Sequence, residues 1–100
     1  SPAERIDQRV TTLTERLSLS DEQAEGVRAV LEEHYTLLKE DRETYGDDRE
    51  AMMQIMRGRM KQMDTKITEL LTDEQKVEYE KYKEERREEM RSRRQRPGDR

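Results

Sequence analysis

Hydrophobic positions recur at helical spacing along nearly the whole chain. Ile6, Val10, Leu13 and Leu17 stand four, three and four residues apart, which places them on one stripe of a helix. Ser1-Pro2-Ala3-Glu4 precedes that stripe as a start signal, with a hydroxyl for the N-cap, Pro at the first helical position and Glu three residues past the cap. Val27, Val30, Leu31, His34, Leu37 and Leu38 predict the buried face of a longer second helix, which Tyr45 extends. Gly46 followed by Asp47-Asp48 predicts its end: a glycine C-cap, then acidic residues suited to a new helix start. Met53, Met56, Met60, Met63, Ile67 and Leu70 follow at spacings of 3, 4, 3, 4 and 3, the pattern of a heptad seam, widened by Met52 and Ile55. Gly58 inside this third helix costs about 1 kcal/mol relative to Ala and predicts a bend or a close helix contact. Val77, Tyr79, Tyr82 and Met90 mark a fourth, strongly charged helix. Its pairs Glu84–Arg87, Glu88–Arg91 and Glu89–Arg93 stand three or four residues apart, where each contributes a few tenths of a kcal/mol.

No segment alternates with the period of a strand, so the expected fold is all-α, with helices near 3–18, 21–45, 48–70 and 73–95. The short connection at Gly46 predicts a central antiparallel helical hairpin, with the first and fourth helices folded back beside the chain segments that start the second and fourth. Residues 1–95 read as one domain and 96–100 as a disordered basic tail. Composition then changes the picture. Only 29% of the 100 residues are hydrophobic, 46% are charged, and Phe and Trp are absent. So little apolar side chain offsets chain entropy poorly in an isolated domain. Two readings follow, disorder or long, thin helices that share a narrow apolar seam with each other or with a second copy, and the helical periodicity favours the second; a homodimer is expected.

Charge and chemistry mainly exclude. A net charge of −4 argues against nucleic acid as a partner. The absence of Cys removes disulfides and thiolate metal sites. No apolar run reaches membrane-spanning length, so no membrane insertion is expected. The sequence opens at Ser1-Pro2 without Met and with no visible signal peptide, as a processed chain would. There is no thiol nucleophile, no Gly-rich phosphate loop and no supported Ser–His arrangement, and the carboxylates are spread along helix surfaces. The chain is not expected to be an enzyme, and no cofactor is implied. His34, the single histidine, is a weak metal candidate with Glu33, Asp41 or a Met. A metal site normally converges several ligands, so a packed histidine between Leu31 and Leu38 is the preferred reading. The Arg-rich segment from Arg91 to Arg100 could meet anionic lipid, nucleic acid or an acidic partner, but a solvated, frayed helix end whose cations complement the dipole is the preferred reading.

The most specific feature is a duplication. Leu19-Ser20-Asp21-Glu22-Gln23 and Leu71-Thr72-Asp73-Glu74-Gln75 each supply a Leu that can pack, a hydroxyl N-cap, an acidic first turn and a Gln that closes a capping box. Leu19, Ser20, Gln23, Leu71, Thr72 and Gln75 are thus the structural motif residues. The pair, and the Met-containing run Glu85–Arg91 after the second copy, resembles the LTxxQ family, the Spy/CpxP group of periplasmic stress proteins; the first copy keeps its hydroxyl as Ser20. The resemblance implies export to the periplasm and an elongated, cradle-like antiparallel homodimer. It further implies ATP-independent binding of unfolded client proteins, with a membrane sensor kinase as a further partner. Metal-responsive regulation, as in related periplasmic proteins, is the alternative it leaves. Candidate client-binding residues are Met52, Met53, Met56, Arg57, Arg59, Met60, Lys61 and Met63, since flexible Met side chains beside cations adapt to varied partners. For the strict heptad positions Met53, Met56, Met60 and Met63 a dimer core is the preferred reading, because that spacing is a packing signature, and the flanking Met52 is the better client-binding candidate.

Overall fold

The computed structural model describes residues 1–95. It has four helices in chain order, α1 (Pro2–Leu17), α2 (Asp21–Tyr45), α3 (Arg49–Glu69) and α4 (Asp73–Arg94), and no strand among the described residues. The boundaries fall within a residue or two of those the sequence predicts. The basic tail expected at 96–100 lies outside the described residues.

Capping explains each start. Ser1 Oγ accepts from the Glu4 amide, and Pro2 sits at the first helical position. Ser20 and Thr72 open α2 and α4 with complete capping boxes: each hydroxyl accepts from its Gln amide N–H, and each Gln side-chain oxygen accepts from the cap N–H. Asp48 caps α3 through Ala51 N–H at 3.0 Å. Each such cap contributes about 1 kcal/mol. The ends are less regular. α1 terminates on Ser18 in the left-handed region, φ 54°, a conformation usually left to Gly or Asn. Gly46, by contrast, stays right-handed at φ −58°. It is needed for space: a Cβ there would collide with the Arg42 carbonyl oxygen.

The core lies where α1, α2 and the C-terminal half of α3 meet the start of α4. Ile6, Val10, Leu13 and Leu17 of α1 are all buried, as their stripe predicts, against Val27, Leu31, Ile67, Tyr79 and Tyr82. Leu13, Leu31, Val27 and Ile67 are enclosed almost completely, and each contributes about 1.5–3 kcal/mol by leaving water. On α4 the sequence stripe is only half right, because Tyr79 and Tyr82 are buried while Val77 and Met90 are exposed.

α2 packs along both α3 and α1, and α1 packs on α4. Gly26, not Gly58, is the site of close helix approach. A Cβ at Gly26 would stand 3.0 Å from a Leu70 methyl, whereas one at Gly58 would meet nothing within 4 Å. The expected surface pairs on α4 are present: Arg87–Glu84 at 2.8 Å, Arg93–Glu89 at 2.7 Å, and Arg91–Glu88. The molecule is flattened, 40 × 36 × 24 Å.

Candidate functional site

Two features compete as the functional centre: the junction of the repeated motifs, and the α2–α3 face that carries the methionines.

At the junction the two copies touch. Gln23 Nε2 donates to Gln75 Oε1 at 2.6 Å, and Gln75 Nε2 donates back to Gln23 Oε1 at 3.1 Å. Each amide also reaches across to the end of the helix that precedes the other copy of the motif. Gln23 Nε2 donates to the Leu70 carbonyl at 2.9 Å, and Gln75 Nε2 to the Leu17 carbonyl at 3.2 Å. Each glutamine therefore closes its own N-cap, satisfies a last-turn carbonyl that no intrahelical N–H reaches, and pairs with the other. Leu19 and Leu71 are both buried and belong to the core cluster. The arrangement is a clasp. It holds hydrogen-bonding groups that are already matched to one another and offers no group poised for chemistry. Sequence reasoning identified both capping boxes and missed their contact; the shared Gln at the third helical position was the available signal.

No family model matches the chain, and neither a curated protein nor a solved structure matches it.

The Met stripe divides along α3. Met52 and Met63 are half-buried, while Met53, Met56 and Met60 are 51%, 37% and 54% exposed. The face that α3 turns to α2 runs instead through Met52, Ile55, Arg59, Met63 and Leu70, all partly buried. Contacts along it pair Asp41 with Arg59, Glu33 with Lys66, and Gly26 with Leu70. On the other flank, Ile67 joins the core, and Asp64 lies 2.9 Å from Lys83 of α4. That cover falls on the C-terminal half of α3. The N-terminal half keeps the same flank open, and Met53, Met56 and Met60 occupy it. Arg57 and Lys61 are exposed on this half of the helix, and Tyr45 is 44% exposed at the adjoining end of α2. Arg59 stands apart from the other candidate cations because its guanidinium is committed. Its Nε donates to Asp41 Oδ2 at 2.8 Å and its Nη2 to Asp41 Oδ1 at 3.2 Å.

Asp41 is the one buried charged side chain among the described residues, 6% exposed. The hydrogen bond from Arg59 holds its carboxyl below the ordinary carboxylate range, against the opposing effect of burial. Both partners were visible in the sequence as interruptions of an apolar stripe: Asp41 three residues after Leu38, Arg59 four after Ile55 and four before Met63.

His34 is half-buried and meets Tyr35 edge to face at 5.6 Å. Burial, then the positive charge of Arg9, pushes its pKa down. The carboxylates that would complete a metal site with it are engaged elsewhere, Glu33 with Lys66 and Asp41 with Arg59. No group of three or more His, Asp or Glu side chains suited to a metal occurs among the described residues. No helix among them is long and apolar enough to cross a membrane.

Proposed function

We propose that the chain is an ATP-independent chaperone or envelope-stress adaptor of the periplasm, which holds unfolded or partly folded proteins on the open flank of α3. The observation that carries this reading is the exposure of Met53, Met56 and Met60 on one helix flank, beside Arg57 and Lys61. Unbranched thioether side chains repack against varied apolar partners, and neighbouring cations draw in acidic segments through longer-range attraction. The clasped motif pair supports the same reading through its resemblance to the LTxxQ family, and the periplasmic location rests on that resemblance alone. In this reading α2 and α3 form an antiparallel hairpin, supported by the order of their contacts, and two copies assemble as an antiparallel cradle. A membrane sensor kinase is a natural second partner, because regulatory binding draws on the same exposed surface.

The test is light scattering from a chemically denatured client diluted into buffer without nucleotide. Stoichiometric protein should slow aggregation, and the triple substitution Met53→Ser, Met56→Ser, Met60→Ser should remove most of that protection while circular dichroism stays unchanged. Equal aggregation with and without the parent protein would end the chaperone reading. Full protection by the triple variant would move the client surface off α3.

A further inference from the structure

A cleft of about 380 Å³ opens between α1, α2 and α4, well away from the open flank of α3. Arg5 and Arg9 of α1 and Arg86 of α4 line it, with Thr12, Tyr35 and Tyr82 around them. No lining residue is a carboxylate. Arg5, Arg9 and Arg86 form no ion pair among the described residues.

The cluster follows from how α1 faces α4. Arg5, Arg9, Thr12 and Arg16 recur at intervals of four, three and four, so they share one helix face. At the inner end of that face α4 answers with the opposite charge: Arg16 forks onto Glu85 at 2.9 and 3.0 Å. The very next residue of α4, Arg86, is an arginine instead. Arg86 is held in place by donating to Tyr82 Oη at 3.0 Å, with its guanidinium 5.8 Å from the centre of the Tyr82 ring. Three arginines thus line one cleft in a chain whose net charge is −4. Like charges brought together without a counter-charge are unfavourable, and each fork retains N–H donors aimed at no protein acceptor.

We propose that this cleft is a binding site for a compact phosphate-class polyanion of the size of pyrophosphate or tripolyphosphate. Several guanidinium forks arriving from two helices suit an anion with oxygens on every side, which each fork can engage with paired hydrogen bonds. Thr12, Tyr35 and Tyr82 also line the cleft, and each carries a hydroxyl able to donate. The volume lies at the lower end of the range for small-molecule sites, and the polar lining favours a small, highly charged ligand over one with an extended apolar part. The inference is independent of the chaperone reading, since neither the motif clasp nor the Met flank contributes to the cleft.

Calorimetry with sodium tripolyphosphate at low ionic strength tests it. Saturable binding of one ion per chain is expected, weakened by about tenfold or more in Arg9→Gln and in Arg86→Gln and unchanged in Arg49→Gln, which lies outside the cleft. Thermal melts without the anion check the fold: Arg9→Gln should melt no lower than the parent, because it removes a repulsive charge, and Arg86→Gln, which also gives up the hydrogen bond to Tyr82, should still melt in one cooperative transition. Citrate serves as the carboxylate comparison and should bind more weakly. No heat beyond that of sodium chloride at matched ionic strength would overturn the proposal. So would an affinity unchanged from the parent in both cleft variants, or citrate binding as tightly as tripolyphosphate.

Discussion

Gln23 and Gln75 each use a side-chain amide to its capacity. The oxygen accepts from a helix cap and from the opposing amide, and the nitrogen donates to the opposing oxygen and to a helix-end carbonyl. Glutamate matches the shape and loses both donors. Gln75→Glu would set a carboxylate against the Gln23 and Leu17 oxygens, and it should lower unfolding free energy by about 2–3 kcal/mol. Thr72→Ala, which removes only a cap, should cost about 1 kcal/mol. Urea titration of the two variants checks the ranking; a smaller effect for Gln75→Glu would mean that the clasp is not a structural element. Titratable groups act at the same scale. His34 protonates less readily folded than unfolded, chiefly through burial, so the unfolded chain binds more protons there. Its contribution to stability is complete above the ordinary value of 6.5 and is lost as pH falls below it. Asp41, Glu33 and Glu84 are held below their ordinary values by Arg59, Lys66 and Arg87 respectively. Their contributions persist to lower pH and are lost as pH falls from the ordinary carboxylate values of 3.8–4.5 toward the lower folded ones. Denaturation midpoints should therefore decline in two stages on acidification. His34→Gln should flatten the first stage alone and Asp41→Asn should reduce the second; a single unchanged decline in His34→Gln would contradict the assignment.

Individual helices were the most legible part of the sequence, because their boundaries are set by local chemistry. Ser1, Ser20, Asp48 and Thr72 cap the helices they precede. The stripe of α1 is buried throughout, since neighbouring helices cover its length. Where cover stops partway, periodicity misleads. Met53 to Leu70 keep one spacing along α3, yet Ile67 is fully buried and Met53 is 51% exposed, because spacing records which residues share a face and not how far a neighbour extends along it. The Arg cleft and the contact between the two glutamines are hard to read from sequence for a related reason: both join residues on helices distant in sequence, and only the Gln shared by the two motifs hinted at the second. Glycine shows the same limit. The exposed Gly58 has open space around it and Gly26 faces Leu70 closely, although both stand in helix interiors. Gly58→Ala should therefore stabilise the protein by about 0.5–1 kcal/mol through helix propensity and a less flexible unfolded chain. A lower melting temperature for this variant would reveal a close contact at position 58 in the assembled protein.

At the scale of the whole molecule, surface exposure bears on assembly. The chain exposes 7734 Å², where a compact monomer of 12.1 kDa exposes about 6,000 Å². A flat layer of helices with one apolar flank uncovered has such an excess, and pairing with a second copy is the simplest way to reduce it. The proposed homodimer and the proposed client surface make separable demands on the methionines. If clients use Met53, Met56 and Met60, dimer formation leaves these three open. Sedimentation should then show a dimer at micromolar concentration, and limited peroxide oxidation read by mass spectrometry should modify Met53 and Met60 faster than the half-buried Met52 and Met63. Those rates should be the same above and below the concentration at which the dimer dissociates. Protection of Met53, Met56 and Met60 on dimerisation would instead make their heptad spacing the seam between copies, and client binding would then need another face. A monomer at every concentration tested would remove the cradle while leaving the clasp and the open α3 flank of the single chain unaffected.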